Sequence, residues 1–582
     1  MNQRALRSAL AEVKTDLWQS KPTGRFFQSC LQPESHGVIT ENVALFKKLK
    51  RELYLYWPDN ATVQEHPLEV MVRMAAKWDL NPVFRLRAAW KKGTGSQMLI
   101  IRRGSLGAVW KARRELGESG TQYETHVHRH MRALEAPDWF LPSFGLLREL
   151  ESDIVDGVYA TLRGEPNQQW YVLVNVGTGN ISKMWYTHVD KHETTTKWAY
   201  EDKVLVEDKR TLAHLEKLIE SYTVNDLAMG LSWVFIQSHL WLVTGKDYLM
   251  TTDQNTKELA CMEYVNSRFG LLASVQQLES RYAPTEKLDD VKGYVQLVQD
   301  QLSSLVGSSW IDKQYREEVL AKLRDTELHA LPADVFFLPS ERTRLYSGFP
   351  TMDKNFTSNL IHASSHYQEL QRDPLYQDLY DKHMVYQHYP AAYWYPLNRV
   401  EVAMAAFDAP LFYFDTTFAV NFAGLGTLLA KEFVKAFDVM GTKWDTKGDA
   451  TQWWGAPFSP TYGERVRCNL HPTARGDTQN GRGNMTVFPL IPALEVSFAA
   501  YKKAVDFGDR EGGDYRIAGL ESYTDDQIFF MSFCYWMCSG TGAADRDQCN
   551  VPLKHFDAFV ESFGCPEGSA MNDNEKCKFL PA

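Results

Sequence analysis

No run of about 18 apolar residues occurs in this 582-residue chain, so the sequence contains no helix built to cross a bilayer. Concentrated positive charge is also missing. The net charge is −10, and the one dense basic run, KKLKRE at 47–52, reads as a solvated helix face. Nucleic acid is therefore not expected as a main partner, because phosphate binding needs a focused cationic surface. There are no internal repeats or low-complexity tracts, and no Walker, Rossmann or G-x-S-x-G pattern, so nucleotide-binding and serine-hydrolase readings fall away. The eight Cys contain neither a C-x-x-C pair nor zinc-finger spacing. The start, MNQRALRSALAEVKTDLWQ, is an amphipathic helix pattern without the apolar core of a signal peptide.

What is present is the balance of a soluble globular protein: 44% hydrophobic, 23% charged and 13% aromatic residues, including 17 Trp and 27 Tyr. The length exceeds one compact core, and two large or three ordinary domains are expected. Four N-x-S/T sequons, at Asn60, Asn180, Asn355 and Asn484, mark candidate glycosylation sites. Together with a cysteine-rich C-terminal region (Cys534, Cys538, Cys549, Cys565, Cys577), they favour an oxidising, extracellular setting, secreted or surface-tethered. Core packing of Cys534 and Cys538 within their apolar run is the other reading of that pair.

Apolar periodicity predicts helices in ENVALFKKLKRELYLYW and PLEVMVRMAAKW, the second opened by a proline. PVFRLRAAW and QMLIIRRG, separated by KKGTGS, read as a hairpin, and WYVLVNVGTGNISKMWY reads as a second one turning at GTGN. Residues 209–325 are mostly helical in pattern. QHYPAAYWYPLNRVEVAMAAFDAPLFYF, near 385–415, is strand-like, and helices follow at about 421–438 and 488–505. A boundary is placed near 380, giving an N-terminal region 1–380 and a C-terminal domain 381–582. The fold class is mainly α with small β-hairpins.

One stretch of the C-terminal region carries a specific pattern. From Asn421 to Gly441 the chain reads NFAGLGTLLAKEFVKAFDVMG, with Lys431, Glu432 and Lys435 in a K-E-x-x-K frame. It resembles the N-Y-G-G-I-G-x-V-I-G-H-E-x-x-H-x-F-D-x-x-G segment of the neprilysin and endothelin-converting-enzyme family of zinc endopeptidases. WDTKGDATQWWG at 444–455, IFFMSFCYWMC at 528–538 and CPEGSAMNDNEKCKFL from Cys565 are similar to later family motifs in the same order. Upstream, SCLQPE at 29–34 and ACMEYVNSRFG at 260–270 resemble two of its early cysteine segments. The resemblance implies a two-lobed zincin fold enclosing a central chamber, with the N-terminal region as a mostly helical cap lobe. It implies disulfides Cys30–Cys261 and Cys468–Cys577, and leaves the pairing of Cys534, Cys538, Cys549 and Cys565 open. Family members begin with a cytoplasmic tail, an anchor helix and a first cysteine cluster. None of these precedes Cys30, so the resemblance implies a fragment or a shortened member, with a membrane tether allowed through a segment ahead of it.

The same comparison shows the chemistry departing from the pattern. A catalytic zinc of this class needs two neutral His nitrogens at i and i+4, a carboxylate and a water, with the Glu after the first His as general base. Lys431 and Lys435 stand at both His positions, and an ammonium has no lone pair to give until it loses its proton, from a reference pKa of about 10.4. Glu432 keeps the base position. Counting back from LEVSFAAYK, the third ligand falls on Thr486 and the Asp that orients a ligand His falls on Leu490. Ala391 takes the place of the substrate-binding Asn, and Asn550 that of the His that stabilises the oxyanion. No metal or other cofactor is therefore expected. In its plainest reading K-E-x-x-K is a solvated or salt-bridged helix face, with Leu429, Phe433, Phe437 and Met440 as core; in its functional reading the two lysines floor a cleft that holds a carboxylate. THVHRHM would place His126, His128 and His130 on one face of a strand. With no acid beside them they read as surface histidines rather than a metal site.

The expectation is thus a catalytically inactive neprilysin-like protein that binds peptides or a protein partner as scavenger, decoy or regulator. A glycan at Asn484, two residues from Thr486, would crowd the old site and suit binding better than turnover. The alternative is a zinc endopeptidase with unusual ligands. A third reading is a subunit that pairs with an active relative.

Overall fold

The computed structural model describes residues 21–31, 36–59, 64–90, 97–106, 109, 120–136, 143–162, 166–194, 196–244, 254–270, 272, 275, 286–371, 373, 376, 390–449, 460–470, 489–511, 516–538 and 543–581. The amphipathic start at 1–19, Asn60, Trp453 and Trp454, Asn484 and Thr486 lie outside them. The chain forms two compact units, Leu6–Gln277 with Pro332–Asp381, and Leu278–Leu331 with Lys382–Ala582. From Leu6 onward the chain passes between the units at 277/278, 331/332 and 381/382.

The first unit opens with α1 (Pro22–Leu31), α2 (His36–Glu52) and α3 (Pro67–Trp78). Pro67 starts α3 because its missing N–H is one a helix start leaves unbonded anyway, and the preceding His66 caps it by accepting from Leu68 N. β1 (Phe84–Trp90) and β2 (Gln97–Arg103) then form the expected antiparallel hairpin, Phe84 opposite Arg103 and Trp90 opposite Gln97. There follow α4 (Gly120–Ala133), α5 (Phe144–Thr161), β3 (Gln169–Val172), α6 (Trp185–His192), β4 (Lys203–Val206), α7 (Lys209–Ser221), α8 (Val224–Thr244) and α9 (Gln254–Phe269).

The second hairpin does not form. β3 pairs with β4, not with the residues after GTGN, and the sheet order is β1-β2-β4-β3 with β2 and β4 parallel. Val204, Leu205 and Val206 are all fully buried, as suits a central strand. ISKMWYTHVDKH buries Ile181, Trp185, Val189 and His192, a helical spacing, and becomes a 3₁₀ turn (Asn180–Met184) running into α6.

The chain then enters the second unit as α10 (Glu286–Gly307), α11 (Lys313–Arg324) and β5 (Glu327–His329), and returns to the first for α12 (Pro339–Tyr346) and α13 (Phe356–Leu370). Its last passage gives β6 (Ala391–Trp394), β7 (Arg399–Val402), α14 (Phe418–Asn421), α15 (Thr427–Val434), α16 (Pro460–Leu470), α17 (Leu490–Glu511), α18 (Asp525–Tyr535), α19 (Ala543–Lys554) and α20 (Asp557–Phe563). β6 and β7 make an antiparallel hairpin turning at Asn398, whose φ is +47°, and β5 adds in parallel on the far side of β7. Each unit has its own apolar core.

Candidate functional site

α15 carries the K-E-x-x-K frame, and its approach is specified residue by residue. Thr417 caps α14 through its hydroxyl. The Asn421 side chain clamps Tyr413 from both sides, Oδ1 accepting from its N–H at 2.9 Å and Nδ2 donating to its carbonyl at 2.7 Å. Phe422–Gly426 then widens into a π-helical turn, and Leu425 N–H donates out to Leu411 O at 2.8 Å. The backbones touch here: a Cβ on Gly424 would lie 2.3 Å from Leu411 O. α15 packs on α17, with Thr427 Oγ1 bonded to Ser497 Oγ at 3.0 Å.

On α15 the core positions Leu429, Phe433 and Phe437 are buried, with Met440 partly so. Glu432 is buried as well, at 2% exposure, and Lys435 Nζ donates to its Oε2 at 2.8 Å. Lys435 is largely buried and Lys431 partly so. The expected ion pair is therefore present, but on a buried face and not a solvated one.

The turn after α15 is held by residues whose role the sequence did not disclose. Asp438 Oδ2 accepts from the Tyr395 hydroxyl at 2.8 Å, and its Oδ1 accepts from Met440 N at 2.8 Å and Gly441 N at 2.6 Å. Burial pushes the Asp438 carboxyl up to about 6, against the pull of the Gly441 N–H, the Tyr395 hydroxyl and Lys435. From α11, the buried Lys322 donates to Gly441 O at 2.6 Å and to Trp444 O at 2.5 Å, and burial draws its ammonium down to about 7. Asp438 was visible as the F-D-x-x-G of the motif. Nothing near Lys322 in sequence points to this loop.

The remaining degenerate positions are dispersed. Ala391 opens β6 opposite Val402 and puts a methyl group into the core, where an amide would be needed to hold a peptide. Leu490 is the first residue of α17 and is buried, with Pro489 O accepting from Ala493 N at the helix start. Asn550 sits partly exposed on α19.

The family zinc does not fit these residues. Lys435, which the resemblance aligns with a zinc-ligating His, donates to the Glu432 carboxylate, and an ammonium so engaged has no lone pair to offer a dication. Among the described residues, no group of three or more His, Cys, Asp and Glu side chains is placed to hold a metal ion.

The histidine triplet is not a strand and not a surface feature. GTQYETHVHRHMRA folds as α4, because Tyr123, Val127 and Met131 repeat every four residues and face the core. His126 and His130 share that buried face with rings 4.4 Å apart, while His128 packs separately against Phe144. His126 Nε2 meets Gln237 Oε1 at 3.1 Å, and the nearby Glu151 carboxylate accepts from Tyr123, Trp233 and Gln237. Burial holds His126 down at about 4 and His130 at about 3, as neutral core histidines.

Cys30 bonds Cys261 across a Cα–Cα distance of 5.8 Å, as the resemblance implied, and Cys534 bonds Cys549, joining α18 to α19. Cys538 and Cys565 are free thiols. Cys577 is disulfide-bonded, while the Cys468 side chain lies outside the described residues. Of the sequons, Asn180 is exposed, and Asn355 caps α13 with Oδ1 accepting from Ser358 N at 2.9 Å.

Residues 391–579 match peptidase family M13. The chain is 22% identical to Neprilysin-11 of Caenorhabditis elegans over 412 residues, 65% of this chain and 48% of that protein. It is 25% identical to Neprilysin-3 of Drosophila melanogaster over 301 residues (47% and 37%), and 23% identical to Endothelin-converting enzyme-like 1 of Homo sapiens over 357 residues (56% and 44%). The match thus spans about half the length, or less, of these relatives. Among solved structures, the fold is similar to PepO from Lactobacillus rhamnosis, with a TM-score of 0.64 at 14% identity over 100% of this chain and 94% of that one. The Mycobacterium tuberculosis zinc metalloprotease ZMP1 in complex with an inhibitor gives 0.63 at 14% identity, over 99% and 92%. At such identities the likeness shows the fold alone.

Proposed function

We propose that this chain, which belongs to the neprilysin and endothelin-converting-enzyme family, is a pseudopeptidase that holds peptides or a protein partner without hydrolysing them, as a scavenger, decoy or regulator. The observation that carries this reading is the 2.8 Å ion pair between Lys435 and Glu432. In the family pattern the Glu polarises a zinc-bound water and the His four residues after the first His holds the metal. Here the residue at the second metal position neutralises the base. Removing a proton from Lys435 would cost both its ammonium and its pairing, so the site resists conversion into a metal site. Ala391 and Leu490 support the same reading, because they replace a peptide-holding amide and a ligand-orienting carboxylate with apolar groups packed into the core. The Cys30–Cys261 and Cys534–Cys549 bonds fit an oxidising, extracellular setting.

The test is the zinc content of the protein expressed by secretion, measured by elemental mass spectrometry beside an H-E-x-x-H relative and paired with a quenched-peptide cleavage assay. Less than about 0.1 zinc per chain and no cleavage, with Glu432→Gln indistinguishable from the parent, is the expected result. About one zinc per chain, or cleavage lost in Glu432→Gln, would overturn the proposal in favour of an endopeptidase with unusual ligands.

A further inference from the structure

In the first unit α3 and α6 pack against each other, and three histidines meet at their junction. His188 and His192 stand one turn apart on α6, and His66 caps the start of α3. They surround a single carboxylate, Glu69 of α3, which is 8% exposed. His192 Nε2 meets Glu69 Oε1 at 3.0 Å, and the Lys191 ammonium donates to the same oxygen. His188 Nδ1 lies 3.7 Å from Oε2. Among the described residues these side chains are not placed to share a metal ion.

The histidines are positioned to be neutral. His66 Nδ1 accepts from Leu68 N at 3.2 Å, so that nitrogen carries no proton, and protonating it would remove the cap. The His188 ring is 7% exposed, lies parallel to the His66 ring at 6.1 Å, and has no hydrogen-bond partner at either nitrogen. Apart from Glu69, the charges facing the cluster are Lys191 and Arg73 of α3. The Arg73 guanidinium stacks on the Tyr54 ring at 4.4 Å, and that ring meets His192 edge to face at 6.2 Å. Protonated together, His66, His188 and His192 would join Lys191 and Arg73 as five cations around one carboxylate. Burial holds His188 at about 4 and keeps His66 and His192 below the ordinary histidine range, against the pull of Glu69. Burial also acts on Glu69, but the bonds from Lys191 and His192 outweigh it and leave that carboxyl below its ordinary range. All four groups therefore lose their contribution to the folded junction as pH falls.

We propose that the α3–α6 junction is an acid-operated latch, closed while its three histidines are neutral and opened when protons enter the cluster around Glu69. Histidine is the side chain whose charge changes just below neutral pH, and gathering several at one packed interface makes that interface the element that responds. Release of α6 uncovers Trp185, which is fully buried with its ring 5.3 Å from that of Phe84. The latch is independent of the K-E-x-x-K helix, which lies in the other unit.

Hydrogen exchange on the whole chain at pH 7 and pH 5, corrected for intrinsic rates, tests the latch. On acidification α6 should lose protection about tenfold or more, ahead of α10 and α17. The triple variant His66→Asn, His188→Phe, His192→Gln keeps a cap, a ring and a donor to Glu69. Its α6 protection at the two pH values should agree within about twofold, while α4, with His126 and His130, still loses its own. Should that variant fail to fold, Lys191→Met decides: it frees Glu69 for an imidazolium and should shrink the α6 loss at pH 5 about threefold. Equal α6 protection at both pH values in the parent, loss of α6 only together with α10 and α17, persistence of the parent's loss in the triple variant, or a Lys191→Met loss as large as the parent's would each overturn the proposal.

Discussion

Glu432 and Lys435 show how much one residue pair says before and after folding. Their i,i+3 spacing made an ion pair legible in the sequence, where an exposed pair contributes about 0.2–0.5 kcal/mol. In the structure the carboxylate is 2% exposed, and the energetics change sign with the experiment. Removing only Lys435 leaves a buried charge without its partner, so Lys435→Met should destabilise the protein by about 3 kcal/mol in urea unfolding. Replacing both, as Glu432→Leu with Lys435→Met, should recover most of that loss, because an apolar pair of similar volume carries no desolvation cost. A single variant within about 0.5 kcal/mol of the parent would mean that the pair behaves as a surface contact.

At the scale of the element, glycines in helices discriminate packing from propensity. Gly424 lies in the π-helical turn before α15, against Leu411 O; Gly463 lies in α16 with nothing within 4 Å of where a Cβ would be. Gly424→Ala should therefore cost about 1–3 kcal/mol, because the clash is with backbone. Gly463→Ala should instead add about 0.5–1 kcal/mol, since alanine loses less chain entropy in a helix. Melting temperatures moving in opposite directions would verify the pair; movement in the same direction would contradict the packing at Leu411. Elements also mark where local pattern failed. GTGN is good turn chemistry, yet β3 found a partner about thirty residues on, because KVLV offers three consecutive buried apolar residues and ISKMWY does not. The alternating histidines of THVHRHM suggested period two, but the apolar residues around them have period four, and burial follows those.

For the whole molecule, long-range links and buried charge set the stability. Cys30–Cys261 spans 231 residues of the first unit, and Cys30→Ala with Cys261→Ala should cost roughly 2–5 kcal/mol, read as a fall in the denaturation midpoint. Buried histidines and buried carboxylates should also respond oppositely to pH. In the first, burial holds His126 and His188 at about 4 and His130 at about 3, against about 6.5 when unfolded. Their contribution is complete above about 6.5 and is lost as pH falls toward 3–4, because only the unfolded chain takes up those protons. In the second, burial raises Glu495 to about 7 and Asp438 to about 6, so their contribution is complete below the ordinary carboxylate range and declines as pH rises to 6–7. Glu495 accepts from Phe579 N and Leu580 N at 2.8 Å each, which ties it to the C-terminal segment. Hydrogen exchange at pH 7 and pH 5, after correction for intrinsic rates, should show α4 and α8 losing protection on acidification and α17 keeping or gaining it. Equal loss in α4, α8 and α17 would refute this assignment.

By itself the sequence determined the helical class, the β1–β2 hairpin and the family frame around Lys431, Glu432 and Lys435, while the Cys30–Cys261 bond was implied only by the resemblance that frame carries. Each of these rests on short-range periodicity or on motifs whose residue types are required by their chemistry. Only the tertiary structure decided that the chain passes three times between its units, that β2 lies parallel to β4 and β5 to β7, and that Cys534 joins Cys549. It also decided that Lys322 and Tyr395 brace the turn after α15. The physical reason is common to all of these: they depend on contacts between segments tens to hundreds of residues apart, where burial, and not spacing, selects the partner.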